Sequence, residues 1–505
     1  MFKQISEINN LNETKKFIEK IKIYICLIKI FLKKNSYNFV NHSIIDEQIK
    51  LRLNELNICD KSSQTDIKLL NKTLKNDLFF QFISSMSIDI KFRKKTYKFL
   101  ENIDPSLRKL AQINNSKKVS PTIIDLFCGA GGLSLGFINE GFKVELANDN
   151  DSVCHETYRY NHPQLSDNKV ILGDVKLLVN NPLLTSLNSI DVLVGGPPCQ
   201  GYSNVNQQRI INDPRNQLYK NFVDVIDKIR PKFVVMENVK GMLKYAQQVK
   251  EDIELIGNND NSNMSYDIGF KILVSDDFGI AQKRPRLFFI GIRKDIVKSK
   301  KISPEIIFNK ICLENIKRKK HVLKDALDYI KPLKAPRVKN MTEVDDEETG
   351  NKIDINQFEG NENSYLKMIN KTKIDLIFNH KSRYVNDVNY EIYSKLEQGE
   401  DSTTETIKHI MPYNHRSHIF KDKYYKLIEK NPSKTITAHL KMDCHSHIHP
   451  VQVRSITPRE AARIQSFPDN YFFLGPYLKT YMQIGNAVPP LMASSIAKII
   501  KKYLN

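Results

Sequence analysis

Four short stretches of this 505-residue chain bring together residue types at spacings that could do chemistry. In DLFCGAGGLSLG (residues 125–136) an apolar run meets a glycine-rich turn and then a helical pattern. Glycines let backbone approach a ligand closely, and a helix start offers free N–H groups, so the stretch is a candidate cradle for a nucleotide-like molecule. Acidic residues end later apolar runs, Asp149 in ANDND and Asp174 in LGDV. A carboxylate about 20 positions past such a turn suits a pair of ribose hydroxyls, and dinucleotide binding fits this much equally well. In GGPPCQGYS (195–203) two prolines stiffen a loop directly after the run DVLV and hold Cys199 in a fixed pose. Most lone cysteines are inert core residues, but the end of a strand is not a core position. Glu237 closes the run FVVM, where a carboxylate is costly unless paired or functional. QKRPR (282–286) sets Arg284 and Arg286 beside the run LFFIGIR, as either a solvated edge or part of a site.

The elements that must position these residues are apolar runs at Ile123–Phe127, Lys143–Ala147, Lys169–Leu172, Asp191–Val194, Phe233–Met236 and Leu287–Ile292, alternating with helical stretches. Short runs bounded by Gly, Pro or Asp read as buried strands. Their alternation with helices predicts an α/β fold on a doubly wound, mostly parallel sheet, which binds ligands beyond the carboxyl ends of its strands. Residues 1–118, rich in Lys, Asn and Ile, read as a helical N-terminal extension by the periodicity around Phe17–Leu32 and Leu78–Leu100, with no readable role. The polar NNSKKVSP (114–121) marks its boundary. Residues 119–299 form the domain that carries the candidate residues. Residues 300–453 lose the alternation, hold a basic cluster (317–320) and an acidic run (345–348), and read as a smaller inserted domain. Order returns in 454–505, which completes the first domain.

The 77 basic and 57 acidic residues leave a formal charge of +20 and a pI near 9.3. That surplus fits a polyanionic partner, although a Lys-, Asn- and Ile-rich composition produces the same surplus by itself. A hydrophobic fraction of 41% excludes a disordered chain. The seven cysteines (26, 59, 128, 154, 199, 312 and 444) form no CxxC pair, which argues against a disulfide framework and for a reducing cytoplasm. The run Ile21–Leu32 is broken by Lys22 and Lys29 and reads as an amphipathic helix, too short and charged to span a bilayer. With no signal peptide visible, a cytoplasmic protein is expected. Cys444-His-Ser-His-Ile-His449 lacks paired cysteines and is not read as a zinc site.

FCGAGG, GGPPCQ, MENVKGML, QKRPRLFFIG, TPREAARIQSFPD and QIGNAVPP stand in the order of the motifs of the cytosine-5 DNA methyltransferase family, bacterial restriction-modification type. The chain resembles that family over about 120–294 and 454–500. The resemblance implies the S-adenosylmethionine-dependent methyltransferase fold, with 300–453 as the target-recognition domain. It implies S-adenosyl-L-methionine as cofactor, with Phe127, Gly129, Gly131 and Leu133 along its methionine and adenosine parts. Asp149 would take the ribose hydroxyls and Asp174 the adenine amino group, with Pro198 bordering the pocket and Asn486 and Ala487 closing it. It implies Cys199 as the nucleophile toward a flipped cytosine, Glu237 at ring nitrogen 3, Arg286 at the carbonyl oxygen and Arg284 nearer the thiolate and the phosphate. Double-stranded DNA and a cognate restriction endonuclease are the implied partners of a nucleoid-associated monomer that needs no metal.

Within 300–453, the basic clusters Lys317–Lys320, Lys334, Arg337 and Lys339 are expected to meet phosphates. The polar stretches Asn379–Arg383 and Thr435–His439 are expected to read bases. Two departures from the family pattern stand out: Ala281 where proline is usual, and Cys128 at a position commonly small, for which no catalytic role is read. A transfer RNA cytosine-5 methyltransferase and a catalytically inactive DNA-binding relative are the competing readings. The intact set of Cys199, Glu237, Arg284 and Arg286 speaks against the second.

Overall fold

The computed structural model describes residues 2–60, 63–103, 120–187, 189–198, 218–257, 264–355, 362–372, 376–412 and 423–504. Two compact units emerge, one built mainly from the first 115 residues and a larger one from the rest. The first is helical: α1 (Leu11–Lys34), α2 (Glu47–Glu55), α3 (Gln64–Lys91, interrupted at Lys75) and α4 (Arg93–Ile103). Asn10, Asp46 and Ser63 each accept a backbone N–H at a helix start, which satisfies donors the helix cannot. At its centre the buried Asp89 carboxylate accepts from Tyr24 Oη (2.7 Å), Arg52 Nε (2.9 Å) and Thr96 Oγ1 (2.6 Å).

The larger unit is built on a seven-stranded sheet of order β3-β2-β1-β4-β5-β7-β6. Its strands are β1 (Thr122–Leu126), β2 (Lys143–Asp149), β3 (Val170–Leu172), β4 (Val192–Gly195), β5 (Phe233–Val239), β6 (Tyr266–Val274) and β7 (Pro285–Arg293). Strands β3, β2, β1, β4 and β5 are parallel, and β7 runs antiparallel to both β5 and β6. The order reverses at β1, with β2 on one side and β4 on the other, so the crevice for a ligand opens beyond their carboxyl ends. The doubly wound, mostly parallel sheet expected from the sequence is present, with one strand more than the apolar runs indicated. That strand is β6, an edge strand whose alternating burial and whose Asp267, Gly269 and Lys271 conceal it as an apolar run.

Side chains alternate across the sheet with the period of two that pleating dictates. Val192 and Val194 face one apolar core and Leu193 the other. The first core is closed by α5 (Gly132–Asn139), α9 (Pro304–Asn315) and α12 (Pro490–Lys501). The second is closed by α7 (Leu218–Ile229) and α8 (Ala246–Glu254). The helix α6 (Ser152–Asn161) follows β2, while α10 (Pro458–Ile464) and α11 (Tyr477–Asn486) precede α12. Gly132 and Gly136 let α5 and α12 touch: a Cβ at Gly136 would lie 2.3 Å from Ala493 Cβ and 2.6 Å from Pro490 O. One at Gly132 would lie 2.3 Å from Val488 O. The last helix thereby returns beside α5, the helix that follows the first strand of the sheet. Among the described residues, no helix is long and apolar enough to cross a membrane.

Candidate active site

Strand β1 stops at Leu126, and Phe127 turns the chain with φ +55°. A non-glycine residue there carries strain of order 1–3 kcal/mol, which surrounding bonds must hold and which clusters at functional sites. Those bonds are present: Cys128 N–H donates to Asn148 O (3.0 Å), Gly129 N–H to Asp149 Oδ2 (2.8 Å) and Gly131 N–H to Cys128 O (2.8 Å). The glycines differ in purpose. A Cβ at Gly131 (φ +86°) would strike His162 at 2.7 Å and Tyr471 Oη at 2.8 Å, whereas one at Gly129 would meet nothing within 4 Å. The turn therefore packs against the protein at Gly131 and faces open space at Gly129, as a cradle for a ligand requires.

Asp149, at the end of β2, accepts from Gly129 N–H and from Asp151 N–H (2.8 Å). Burial pushes its carboxyl up, and these two N–H groups oppose the shift. Asp174, beyond β3, is exposed and accepts from Lys176 N–H at 2.9 Å. Leu133 packs within the apolar core, and Pro198 is exposed on the loop after β4. Asn486 is exposed at the end of α11, and Ala487 Cβ lies 3.2 Å from where a Cβ on Gly132 would be. The structure thus brings the glycine turn, Asp149 and the 487–488 step together from three parts of the chain. Beneath the turn, the buried Asp125 carboxylate accepts from Ser134 Oγ, itself 2.7 Å from Tyr158 Oη, and this joins β1 to α5 and α6. Burial, opposed by the Ser134 bond, pushes Asp125 up to about 7. Burial also pushes the Cys128 thiol well up, so it is a poor nucleophile.

Glu237 lies inside β5 rather than beyond it, buried, with Oε1 2.9 Å from Arg286 Nε on the neighbouring β7. The two positions are diagonal across the antiparallel ladder, since Arg286 stands opposite Val239. Gly196 leaves room for the carboxylate, because a Cβ there would be 3.2 Å from Glu237 Oε2. The next residue has a function that sequence reasoning missed: Asn238 Nδ2 donates to Pro197 O at 3.0 Å, anchoring the Pro-Pro loop two residues before Cys199. Cys199 itself, with the rest of the loop to Ser203, lies outside the described residues.

Arg284 is within electrostatic reach of Glu237 and Arg286 but bonds elsewhere. It is 1% exposed, and its guanidinium donates to Ile436 O (2.5 Å), Gly485 O (2.8 Å) and Ala487 O (3.1 Å). Gln282 accepts from Ile436 N–H (2.7 Å) and donates to Gln465 Oε1 (2.7 Å), whose amide donates to Ile484 O (2.8 Å). Only the pattern of alternate polar residues in QKRPR hinted at such a network.

In the stretch Asn379–Arg383, expected to read bases, residues 379–382 are buried and Arg383 is half-buried. Residues 376–381 form a buried strand, and the amides, imidazole, ammonium, hydroxyl and guanidinium of 379–383 are bonded within the protein. Asn379 exchanges two hydrogen bonds with the Phe473 backbone, and His380 bonds Thr457 and Lys331 O. Lys381 donates to Thr349, Ser382 to Lys334 O, and Arg383 to Leu440 O and Met442 O. In Thr435–His439, by contrast, His439 is exposed and Thr435, Thr437 and Ala438 are half-buried. Three fully buried arginines around α10 tie this region to the sheet domain. Arg454 pairs with Glu460, Arg463 with Asp469, and Arg459 donates to the carbonyls of Phe378, Pro468 and Tyr471. Among the described residues, no group of three His, Cys, Asp or Glu is placed to hold a metal ion.

Comparison with known proteins supplies a family. Residues 121–502 match the model for C-5 cytosine-specific DNA methylases. The type II methyltransferase M.DdeI of Desulfomicrobium norvegicum is 33% identical over 399 residues, covering 75% of this chain and 88% of its own. M1.HphI of Haemophilus parahaemolyticus, also a type II methyltransferase, is 33% identical over 395 residues, 76% of this chain and 87% of its own. M.Sau96I of Staphylococcus aureus is 26% identical over 479 residues, covering 94% of this chain and 94% of its own. A crystal structure described as a DNA modification methyltransferase encoded within an E. coli prophage superposes with a TM-score of 0.58 at 27% identity, over 76% of this chain and 100% of its own.

Proposed function

Because the chain belongs to the C-5 cytosine-specific DNA methylase family, we propose that it transfers a methyl group from S-adenosylmethionine to carbon 5 of cytosine within a specific double-stranded DNA sequence, using Cys199 as nucleophile. The observation that carries this reading is the buried Glu237–Arg286 pair beside a loop whose Pro197 carbonyl is held by Asn238. A carboxyl, a guanidinium and an anchored approach to the cysteine position are what covalent activation of a cytosine ring needs.

The flow of electrons assigns each residue a task. A duplex buries carbon 5, so the base leaves the stack before it reacts. The Cys199 thiolate adds to carbon 6, splitting one difficult step into easier ones. Glu237 holds ring nitrogen 3 and favours its protonated form as negative charge gathers on the ring, while Arg286 meets the carbonyl oxygen. When bound, S-adenosylmethionine supplies an electrophilic methyl group. Phe127, Gly129 and Gly131 would cradle it, Asp149 would accept from the ribose hydroxyls and Asp174 from the adenine amino group. Leu133, Pro198, Asn486 and Ala487 would complete its surroundings. The fit rests on the open space before Gly129 and on Asp149, an acceptor-rich carboxylate at the sheet's reversal point. Loss of the carbon 5 proton and expulsion of the thiol restore the enzyme. Residues 300–453 select the sequence, and the relatives' type II character makes a restriction endonuclease of the same specificity the natural companion.

A duplex carrying 5-fluorocytosine tests the chemistry, since fluorine cannot leave as a proton does. With the donor present, the protein should form a denaturant-resistant adduct through the peptide containing Cys199. Absence of the adduct on a duplex whose unfluorinated form is methylated would refute the covalent step. Methylation of transfer RNA but not of duplex DNA would refute the substrate.

A further inference from the structure

Resting on the methyl-transfer reading above, under which 433–438 faces DNA, we propose that Arg284 is a positioning residue that couples this segment to the end of α11 and Ala487 on the donor side. Its test must separate that coupling from the reading beneath it.

Three chain segments meet at this guanidinium. One is its own, which enters β7 at the next residue and then carries Arg286 and so the Glu237 pair. The second is 433–438, bound to the first by backbone: Ser433 N–H donates to Ala281 O (2.9 Å), and Lys283 N–H to Ser433 O (2.9 Å). The third is the end of α11, whose Gly485 and Ala487 carbonyls Arg284 takes together. The second and third segments also touch directly, because a Cβ at Gly485 would lie 2.2 Å from Thr437 C and 2.4 Å from Ala438 N. Gln282 and Gln465 repeat the linkage one step away, from the Ile436 N–H to the Ile484 carbonyl.

Stability alone does not call for this arrangement. A buried cation bonded to carbonyls is expensive, and apolar packing of equal volume usually serves a core as well or better. A planar fork, however, can grip two segments at once, which an ammonium cannot match. Beside the half-buried Lys434 and Thr435 stands the exposed His439, so DNA seated there would press on the segment whose Ile436 carbonyl shares the Arg284 guanidinium with the Ala487 carbonyl. Whatever shifts one segment is thereby felt by the other, and by linkage the effect is reciprocal.

The experiment is calorimetric titration of S-adenosylhomocysteine into the full-length protein, alone and with a duplex carrying the sequence methylated in expressing cells. In wild type the duplex should tighten binding roughly 5-fold or more. In Arg284→Lys and, independently, in Gln465→Met, that factor should fall toward one, and in Gln465→Met each ligand alone should bind within a few-fold of wild type. Wild type that binds both ligands without coupling overturns the proposal and leaves the methyl-transfer reading intact. A variant that loses thermal stability but keeps the full coupling factor overturns it too, by showing a merely structural role. Failure of wild type to bind S-adenosylhomocysteine at all sinks the methyl-transfer reading itself, and this proposal with it.

Discussion

Burial raises the Glu237 carboxyl while Arg286 and Arg284 hold it down, and the balance leaves it above its ordinary value. A carboxyl raised in this way keeps its proton to higher pH and can share it with a ring nitrogen as charge develops there. Glu237→Gln preserves size and hydrogen bonding but cannot titrate. The variant should methylate roughly 10²–10⁴-fold more slowly, with DNA affinity little changed. In wild type the rate should fall as pH rises through the Glu237 pKa, above the range of an exposed carboxylate, and this limb should vanish in the variant. An unchanged rate, or a limb that persists, would move the acid's role to another group. Glu237 was legible in the sequence because a carboxylate closing an apolar strand is conspicuous. Asn238 was not, since its importance lies in a bond to Pro197, 41 positions earlier.

At the level of elements, what could be read was what local pattern encodes. The runs around Ile123, Lys143, Asp191, Phe233 and Leu287 became strands of one sheet: four are parallel and the last, β7, is antiparallel, and strands covered on both faces read as apolar runs. Strand β6 escaped because only part of its surface is buried. Asn379–Arg383 misled for the opposite reason. Its polar side chains suggested a surface, but partners 94 positions away at Phe473 and 49 away at Lys331 allow it to be buried, and no local pattern reveals them. The contact of α5 with α12 is the element-level feature most open to test. Gly136→Ala drives a methyl group into Ala493, the Pro490 carbonyl and the Ser494 amide, of which the last two are backbone and cannot rotate away. Overpacking of this kind costs about 1–3 kcal/mol or more. The urea midpoint should drop accordingly, with weaker S-adenosylhomocysteine binding, because Val488 and Ala487 rest on the same helix. An unaltered midpoint would mean that the helices do not pack this closely.

On the scale of the whole molecule, the family match ends where the N-terminal helices begin, and it passes through residues 300–453 without making them regular. Under the proposed function, motifs common to a whole family do not choose the sequence, and 300–453 is the segment assigned that choice. Replacing 300–453 with the corresponding segment of a relative of known, different site should move methylation to that site. A chimera that is active and still marks the original sequence would shift suspicion to the N-terminal helices. The charge of +20 accords with a polyanionic substrate but could not have identified it, because phosphate attraction is independent of sequence.

The measurement that tests the account most directly is bisulfite sequencing of DNA from cells expressing either the wild-type chain or Cys199→Ala. Cytosines at one position of a single short sequence should be protected from conversion throughout the genome of cells with the wild-type chain, and none in cells with the variant. Protection that survives the loss of Cys199, or a fully converted genome in cells whose wild-type protein binds the methyl donor, would contradict the account.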